Sequence, residues 1–85
     1  MEIRADKPDL AELRREFWSL PDEALVDRDT AGAAVYLGRE SMEALAIKGG
    51  GPRYKRIGRR ALYLKRDVLT WAAETGRTVE RSRKS

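Results

Sequence analysis

The sequence contains neither cysteine nor histidine. Without these side chains the protein cannot form disulfides, Cys/His zinc sites, thiolate nucleophiles or imidazole acid–base pairs. Asp and Glu are the remaining metal ligands, but they are scattered along polar helix faces, where a solvated surface explains them. We therefore expect no enzymatic activity and no cofactor. The missing cysteines are also compatible with a reducing cytoplasm.

Long apolar runs are absent as well, although 41% of the 85 residues are hydrophobic. A membrane-spanning helix needs about 18 consecutive apolar residues, and the first residues carry acids rather than the apolar stretch of a signal peptide. A chain this short buries only roughly 60% of its unfolded surface. We expect one small domain over residues 9–76, a flexible N-terminus over 1–8 and a basic flexible tail over 77–85, with no membrane contact.

Acidic residues are missing from one stretch in particular. Residues 49–66 read GGGPRYKRIGRRALYLKR, with seven Lys or Arg and no Asp or Glu. Residues 1–48 carry seven basic and eleven acidic residues, whereas residues 49–85 carry eleven basic and three acidic ones. So uneven a distribution predicts a two-faced molecule, with one face suited to phosphate or to another acidic surface.

Apolar residues at helical spacing predict a first helix with Pro8 in its first turn, Asp6 as its cap and Pro21 as its end. Its apolar stripe consists of Leu10, Leu13, Phe17, Trp18 and Leu20. A last helix is predicted after Asp67, the expected N-cap, and ends at Gly76.

Two short helices joined by a turn are predicted between these two. The extended segment ALVD precedes the first of them, TAGAAVYL, which is capped by Asp29 or Thr30 and ends at a left-handed Gly38. Its Ala and Gly residues have almost no side-chain bulk, so another helix can approach closely. Ser41 then caps SMEALAIK. Two short helices around a Gly-led turn form a helix-turn-helix pattern.

The stretch that follows predicts a hinge and a β-hairpin. Residues 49–52, GGGP, cannot continue a helix. The runs 54–57 and 61–64 contain β-type residues and are joined by a three-residue loop, Gly58–Arg60. The predicted fold is therefore α+β but mostly α, with short helices, one two-stranded β-hairpin and an additional N-terminal helix.

Three features of residues 29–73 resemble the excisionase and AlpA-like family of winged helix-turn-helix proteins, relatives of the MerR DNA-binding domain. They are the segments DTAGAAVYLG and SMEALAIK, the basic GGGPRYKRIGRRALY and the closing KRDVLTW. The family commonly shows an A-A-x-x-L-G helix end, a G-x-P hinge, a G-R-R hairpin tip and a D-(L/V)-x-x-W segment. In this sequence the turn before the third helix is shorter than in many relatives, and ESMEALAI carries no Lys or Arg.

The resemblance implies a double-stranded DNA-binding protein that is cytoplasmic and nucleoid-associated, in a bacterium or phage. In the family the third helix enters the major groove, and the hairpin wing contacts the adjacent backbone or minor groove. Members act as excisionases, also called recombination directionality factors, which bend DNA and direct an integrase toward excision of a mobile element. The alternatives are a transcriptional regulator of a prophage or mobile element, and a protein-interaction adaptor for a recombinase or polymerase.

Two groups of residues are expected to contact DNA. The group on the third helix is Arg39, Ser41, Glu43, Ala44 and Lys48. The group on the wing and its flank is Arg53, Tyr54, Lys55, Arg56, Arg59, Arg60, Lys65 and Arg66. Glu43 can accept from a cytosine amine or repel phosphate, and both alternatives stay open. Because the middle of the third helix has no Lys or Arg, we expect the wing to be the main anchor on DNA.

The acidic residues of the first part of the chain suggest a further contact. We expect an acidic face that includes Asp9, Glu12, Glu16, Asp22 and Glu23. This face can meet the basic wing or tail of a neighbouring copy. We therefore expect several copies on adjacent DNA sites, with head-to-tail self-association and an integrase or recombinase as a further partner.

Overall fold

Seven elements follow one another along residues 9–76, the part of the chain that the computed structural model describes. They are α1 (Leu10–Ser19), β1 (Leu25–Asp27), α2 (Arg28–Ala34), α3 (Arg39–Lys48), β2 (Lys55–Ile57), β3 (Arg60–Leu64) and α4 (Lys65–Thr75). The predictions of a flexible N-terminus over 1–8 and a basic tail over 77–85 lie outside these residues. None of the helices within 9–76 is long and apolar enough to cross a membrane.

The three strands form one antiparallel sheet in the order β1-β3-β2. Val26 lies opposite Tyr63, and Arg56 lies opposite Ala61. The hairpin of β2 and β3 was predicted, and the segment before α2 was predicted to be extended. The structure adds that this segment pairs with β3 as a third strand. The domain is thus a mostly helical α+β fold, with four helices and a small sheet in the described residues.

Side chains from all four helices and from two strands form the core. The largest fully buried ones are Phe17 of α1, Met42 of α3, Tyr63 of β3 and Val68 of α4. Burying one such apolar side chain stabilises the fold by about 1.5–3 kcal/mol. On α1 the predicted apolar stripe is only partly buried, since Leu10 and Trp18 remain 49% and 53% exposed.

The helix caps differ from the predicted ones by two or three residues. Asp9 caps α1, where its carboxylate accepts from the amide of Ala11 at 3.1 Å. Asp27 caps α2 by accepting from the amide of Thr30 at 2.9 Å, so neither Asp29 nor Thr30 is the cap. An Asp placed before the helix satisfies one of the free amides of the first turn.

The other two helices begin without a side-chain cap. Gly38 is the N-cap of α3, so Ser41 lies inside the helix rather than at its start. Leu64 is the N-cap of α4, which places Asp67 in the first turn of that helix. An acid in the first turn still interacts favourably with the helix dipole. Gly76 ends α4 as predicted.

The turn between α2 and α3 has its left-handed residue at Tyr36, with a φ of 63°, and not at Gly38, whose φ is −79°. The amide of Leu37 donates to the carbonyl of Gly32 at 2.8 Å, and the amide of Tyr36 donates to the carbonyl of Ala33. These two hydrogen bonds make a Schellman motif. Because α2 already ends at Ala34, the left-handed position falls on Tyr36, two residues earlier than predicted.

Candidate nucleic-acid interface

The cations of the β2–β3 hairpin lie on and around β2, a strand that buries no side chain. All three residues of β2 (Lys55–Ile57) are exposed. The exposed cations of the hairpin and of the segment just before it are Arg53, Lys55, Arg56, Arg59 and Arg60. Since β2 buries no side chain, it is held in place by its pairing with β3.

The tip of the hairpin is a two-residue loop, Gly58–Arg59, rather than the predicted three-residue loop. Ile57 pairs directly with Arg60, which makes Arg60 the first residue of β3. Gly58 has a φ of 63°, a conformation that L side chains rarely adopt. A two-residue loop that starts with a left-handed residue favours Gly at that position. The narrow tip therefore carries the side chain of Arg59 at its outermost point.

Cations lie on both faces of the hairpin, because residues that pair across two strands share a face. Lys55 pairs with Leu62, and Arg56 pairs with Ala61. Successive residues of a strand point to opposite faces, so Lys55 and Arg56 project in opposite directions. An acidic polymer can therefore meet a basic side chain on either side of the hairpin.

A polar cleft of about 250 Å³ separates the hairpin from α3 and the start of α2. Its lining residues are Asp27, Arg28, Asp29, Arg39, Glu43, Arg56, Arg59, Arg60 and Ala61. Five of these nine residues are arginines and three are acids. The cleft brings together two predicted contacts of the third helix, Arg39 and Glu43, with three of the hairpin, Arg56, Arg59 and Arg60.

Acidic residues in the cleft pair with two of the predicted DNA contacts. The Nε of Arg39 lies 3.3 Å from Oδ1 of Asp29 and 4.0 Å from Oε2 of Glu43. Arg60 lies 4.0 Å from Asp27. Exposed ion pairs of this kind contribute at most about 1 kcal/mol, so they can be exchanged for a phosphate. The remaining hairpin cations have no carboxylate partner within residues 9–76; they are Arg53, Lys55, Arg56 and Arg59.

Arg28 is a cleft residue that the sequence analysis did not identify. Its Nε donates to the hydroxyl of Tyr63 at 3.0 Å, and its guanidinium carbon lies 5.3 Å from the ring centroid of Tyr54. The hydrogen bond with Tyr63 raises the pKa of Arg28 above its ordinary value. Tyr54 lies against Tyr63 of β3, with 5.3 Å between ring centroids, and so packs against the hairpin. An alternating D-R-D at residues 27–29 is the local pattern that could have drawn attention to Arg28.

Every predicted contact on α3 is exposed, but the contacts lie on two sides of the helix. Arg39 and Glu43 are four residues apart and both line the cleft. Ser41 and Lys48 are seven residues apart, which places them together on another side. Ala44 is exposed between these sides.

Two predicted phosphate contacts do not belong to this surface. As a correction, Lys65 is buried, with 5% exposure, and its Nζ donates to the carbonyl of Leu20 at 2.7 Å. Arg66 is exposed, but it lies at the opposite end of β3 from the tip and contacts Glu23 at 3.4 Å. The cations that cluster within residues 9–76 are therefore those of the hairpin, the segment just before it and the neighbouring cleft.

Neither a scan against protein-family models nor a search of curated proteins finds a match to this chain. The function proposed below consequently rests on the chain's own residues and on the resemblance of its motifs.

Proposed function

We propose that this protein binds double-stranded DNA as a winged helix-turn-helix, with the β2–β3 hairpin as its main anchor on the phosphate backbone. The observation that carries the proposal is the hairpin: five exposed cations cluster around a strand that buries no side chain. Lys and Arg also protect edge strands from unwanted pairing. That explanation does not cover Arg53, which precedes the strand, or Arg59, which lies in the tip.

The duplex is proposed to approach with α3 toward the major groove and the hairpin tip toward the adjacent minor groove. The phosphate strand between the two grooves then passes over the cleft. On the α3 side, Asp29 and Glu43 partly neutralise Arg39. On the hairpin side, Arg56 and Arg59 have no carboxylate partner among the described residues. This difference supports the hairpin as the stronger contact, with Arg59 positioned to sense minor-groove width.

The finer proposal is that the protein is an excisionase, or recombination directionality factor, which binds cooperatively and bends DNA to direct an integrase toward excision. It is supported by the resemblance of residues 29–73 to the excisionase and AlpA-like family. It is also supported by the lack of Lys or Arg in the middle of the third helix, since weak readout of the DNA bases favours several copies on adjacent sites. A regulator of a mobile element is the second candidate. Footprinting separates them: protection beside the element's attachment site supports an excisionase, and protection confined to promoters supports a regulator.

Salt titration of affinity tests the anchor directly. With about five phosphate contacts, the logarithm of the association constant should fall against the logarithm of salt concentration with a slope of roughly −4.5. Replacing Arg59 and Arg60 together by Ala removes two contacts, so the slope should become less steep by about 1.8. The measurement is fluorescence anisotropy of a labelled duplex over a range of salt concentrations.

Arg15→Ala is the matched control, because Arg15 is exposed on α1, which lies against α2 rather than against the hairpin. It loses one positive charge, against two in the double variant, and should keep the wild-type slope. A slope near zero, or no response to the double substitution, would contradict the hairpin as anchor. Failure to shift any random duplex in a gel at low salt would instead support a protein-interaction adaptor.

A further inference from the structure

Ile47 on α3 is 85% exposed, more than any other large hydrophobic side chain among residues 9–76. Met42, on the opposite side of the helix, is buried in the core. Ala44 lies one turn before Ile47 and is exposed as well. Together Ala44 and Ile47 form an apolar stripe on the outward side of α3.

Folding does not explain this stripe. An isoleucine that stays in water contributes little burial energy, and β-branched residues are weaker helix formers than Ala, Lys or Glu. Its neighbour Lys48 shows that this end of the helix accommodates a charged residue. The apolar side chain of Ile47 therefore suits a contact with another molecule.

The stripe continues the interface described above. Ile47 lies four residues after Glu43, which puts the two side chains on adjoining turns of one helix side. Glu43 lines the cleft opposite Arg56 and Arg59. A molecule held by the hairpin cations therefore passes the side of α3 that carries Ile47. The positive charge of the hairpin favours a nucleic acid over an apolar protein surface as that molecule.

Base edges in the major groove offer one distinctly apolar group, the 5-methyl of thymine. The residues 40–47 include no Lys or Arg, so a bidentate contact to guanine cannot come from the middle of α3. We infer that Ile47, with Ala44 beside it, recognises thymine methyl groups in the major groove. This inference rests on the proposed DNA binding and adds a specificity determinant to it.

The test uses base analogues that remove only the methyl group. A duplex is first selected from a random-sequence library by the full chain, and each thymine is then replaced singly by deoxyuridine. For wild-type protein, one or two of these replacements should weaken binding about fourfold, the factor expected for one methyl-sized group leaving an apolar contact. Ile47→Ala should bind thymine and deoxyuridine equally at the position that Ile47 contacts.

Leu10→Ala is the matched control, because Leu10 is also an exposed aliphatic residue but lies on α1, which packs against α2 rather than against the hairpin. It should retain the wild-type discrimination. Circular dichroism verifies that Ile47→Ala remains helical, as an exposed Ile→Ala change in a helix should. The inference is overturned if no thymine discriminates, if Ile47→Ala discriminates as strongly as wild type at every thymine, or if Leu10→Ala loses the effect equally. Absence of binding to every duplex at low salt would overturn the proposed function itself.

Discussion

Lys65 and Lys55 have the same side chain and opposite surroundings. The ammonium of Lys65 is enclosed between α1 and α4, where it donates to the carbonyl of Leu20 and lies 5.3 Å from the ring centroids of Phe17 and Trp18. Lys55 is exposed on β2. A buried charged donor with a good acceptor stabilises the fold, and its removal leaves a carbonyl without its partner.

We predict that Lys65→Met lowers the free energy of unfolding by about 1–3 kcal/mol and leaves the salt slope of DNA binding unchanged. Lys55→Met should do the reverse: stability stays within about 0.5 kcal/mol of wild type, and the slope becomes less steep by about 0.9. Urea denaturation and anisotropy measure the two quantities. Equal effects of the two substitutions on DNA binding would contradict the assignment of Lys65 to the core.

The role of Lys65 could not be predicted from the sequence. In the run LKR it has the same local pattern as the exposed cations before it. Its acceptors belong to the end of α1, far away along the chain. Local spacing predicts which residues lie on one helix or strand, but it carries no information about a polar contact between two distant elements.

At the level of elements, Gly32 lets the α2–α3 turn and α3 pack closely against α2. A Cβ built at Gly32 would lie 2.7 Å from the carbonyl oxygen of Leu37 and 2.9 Å from Cγ of Met42. The first atom is backbone and takes part in the turn, so it cannot move without disturbing the hydrogen bond between Leu37 and Gly32. The small residues of this helix therefore permit the close packing that the sequence predicted.

We predict that Gly32→Ala destabilises the protein by about 1–3 kcal/mol through overpacking. Gly50→Ala is the control, since a Cβ at Gly50 meets only Cδ2 of Leu45 at an ordinary 3.8 Å. Its stability should lie between the wild-type value and about 1 kcal/mol above it. Thermal or urea denaturation of both variants measures the difference. A neutral Gly32→Ala would mean that the turn can shift to make room.

The sequence predicts the helices and the hairpin because their signals are local: apolar spacing, Gly–Pro breaks and a glycine-led loop. It predicts that residues 24–27 are extended, but not that β1 joins a sheet, because its three residues are too few to alternate and its partner, β3, is distant along the chain. The caps are displaced for a related reason. Asp27, Asp29 and Thr30 are all suitable N-caps, and the pairing of β1 with β3 decides that the helix begins directly after Asp27.

At the level of the whole molecule, the described residues show one concentration of exposed acids and a separate concentration of exposed cations. The exposed acids of α1 and of the following loop are Asp9, Glu12, Glu16, Asp22 and Glu23. The hairpin and the segment just before it, by contrast, have five exposed cations. The charge imbalance of the sequence predicted this polarity, but not the cleft acids, because Asp29 and Glu43 reach the basic surface only through the packing of α2, α3 and the hairpin.

The charge on the proposed DNA surface should not change between pH 6 and 9. The chain has no histidine or cysteine, the side chains that titrate most readily in this range. The pKa of Arg28 is raised by its hydrogen bond to Tyr63. For a base with a raised folded-state pKa, the added stability is complete below the unfolded-state pKa and is lost only as pH rises through the folded-state pKa. Both lie far above pH 9 for an arginine.

We therefore predict that the dissociation constant for a duplex varies by less than about twofold between pH 6 and 9 at constant ionic strength. In the same buffers a fourfold rise in salt should weaken binding by a factor of several hundred, given a slope of roughly −4.5. Anisotropy titrations at matched ionic strength separate the two variables. A marked step in affinity near neutral pH would mean that a titrating group controls binding, and would contradict an anchor made of permanently charged hairpin side chains.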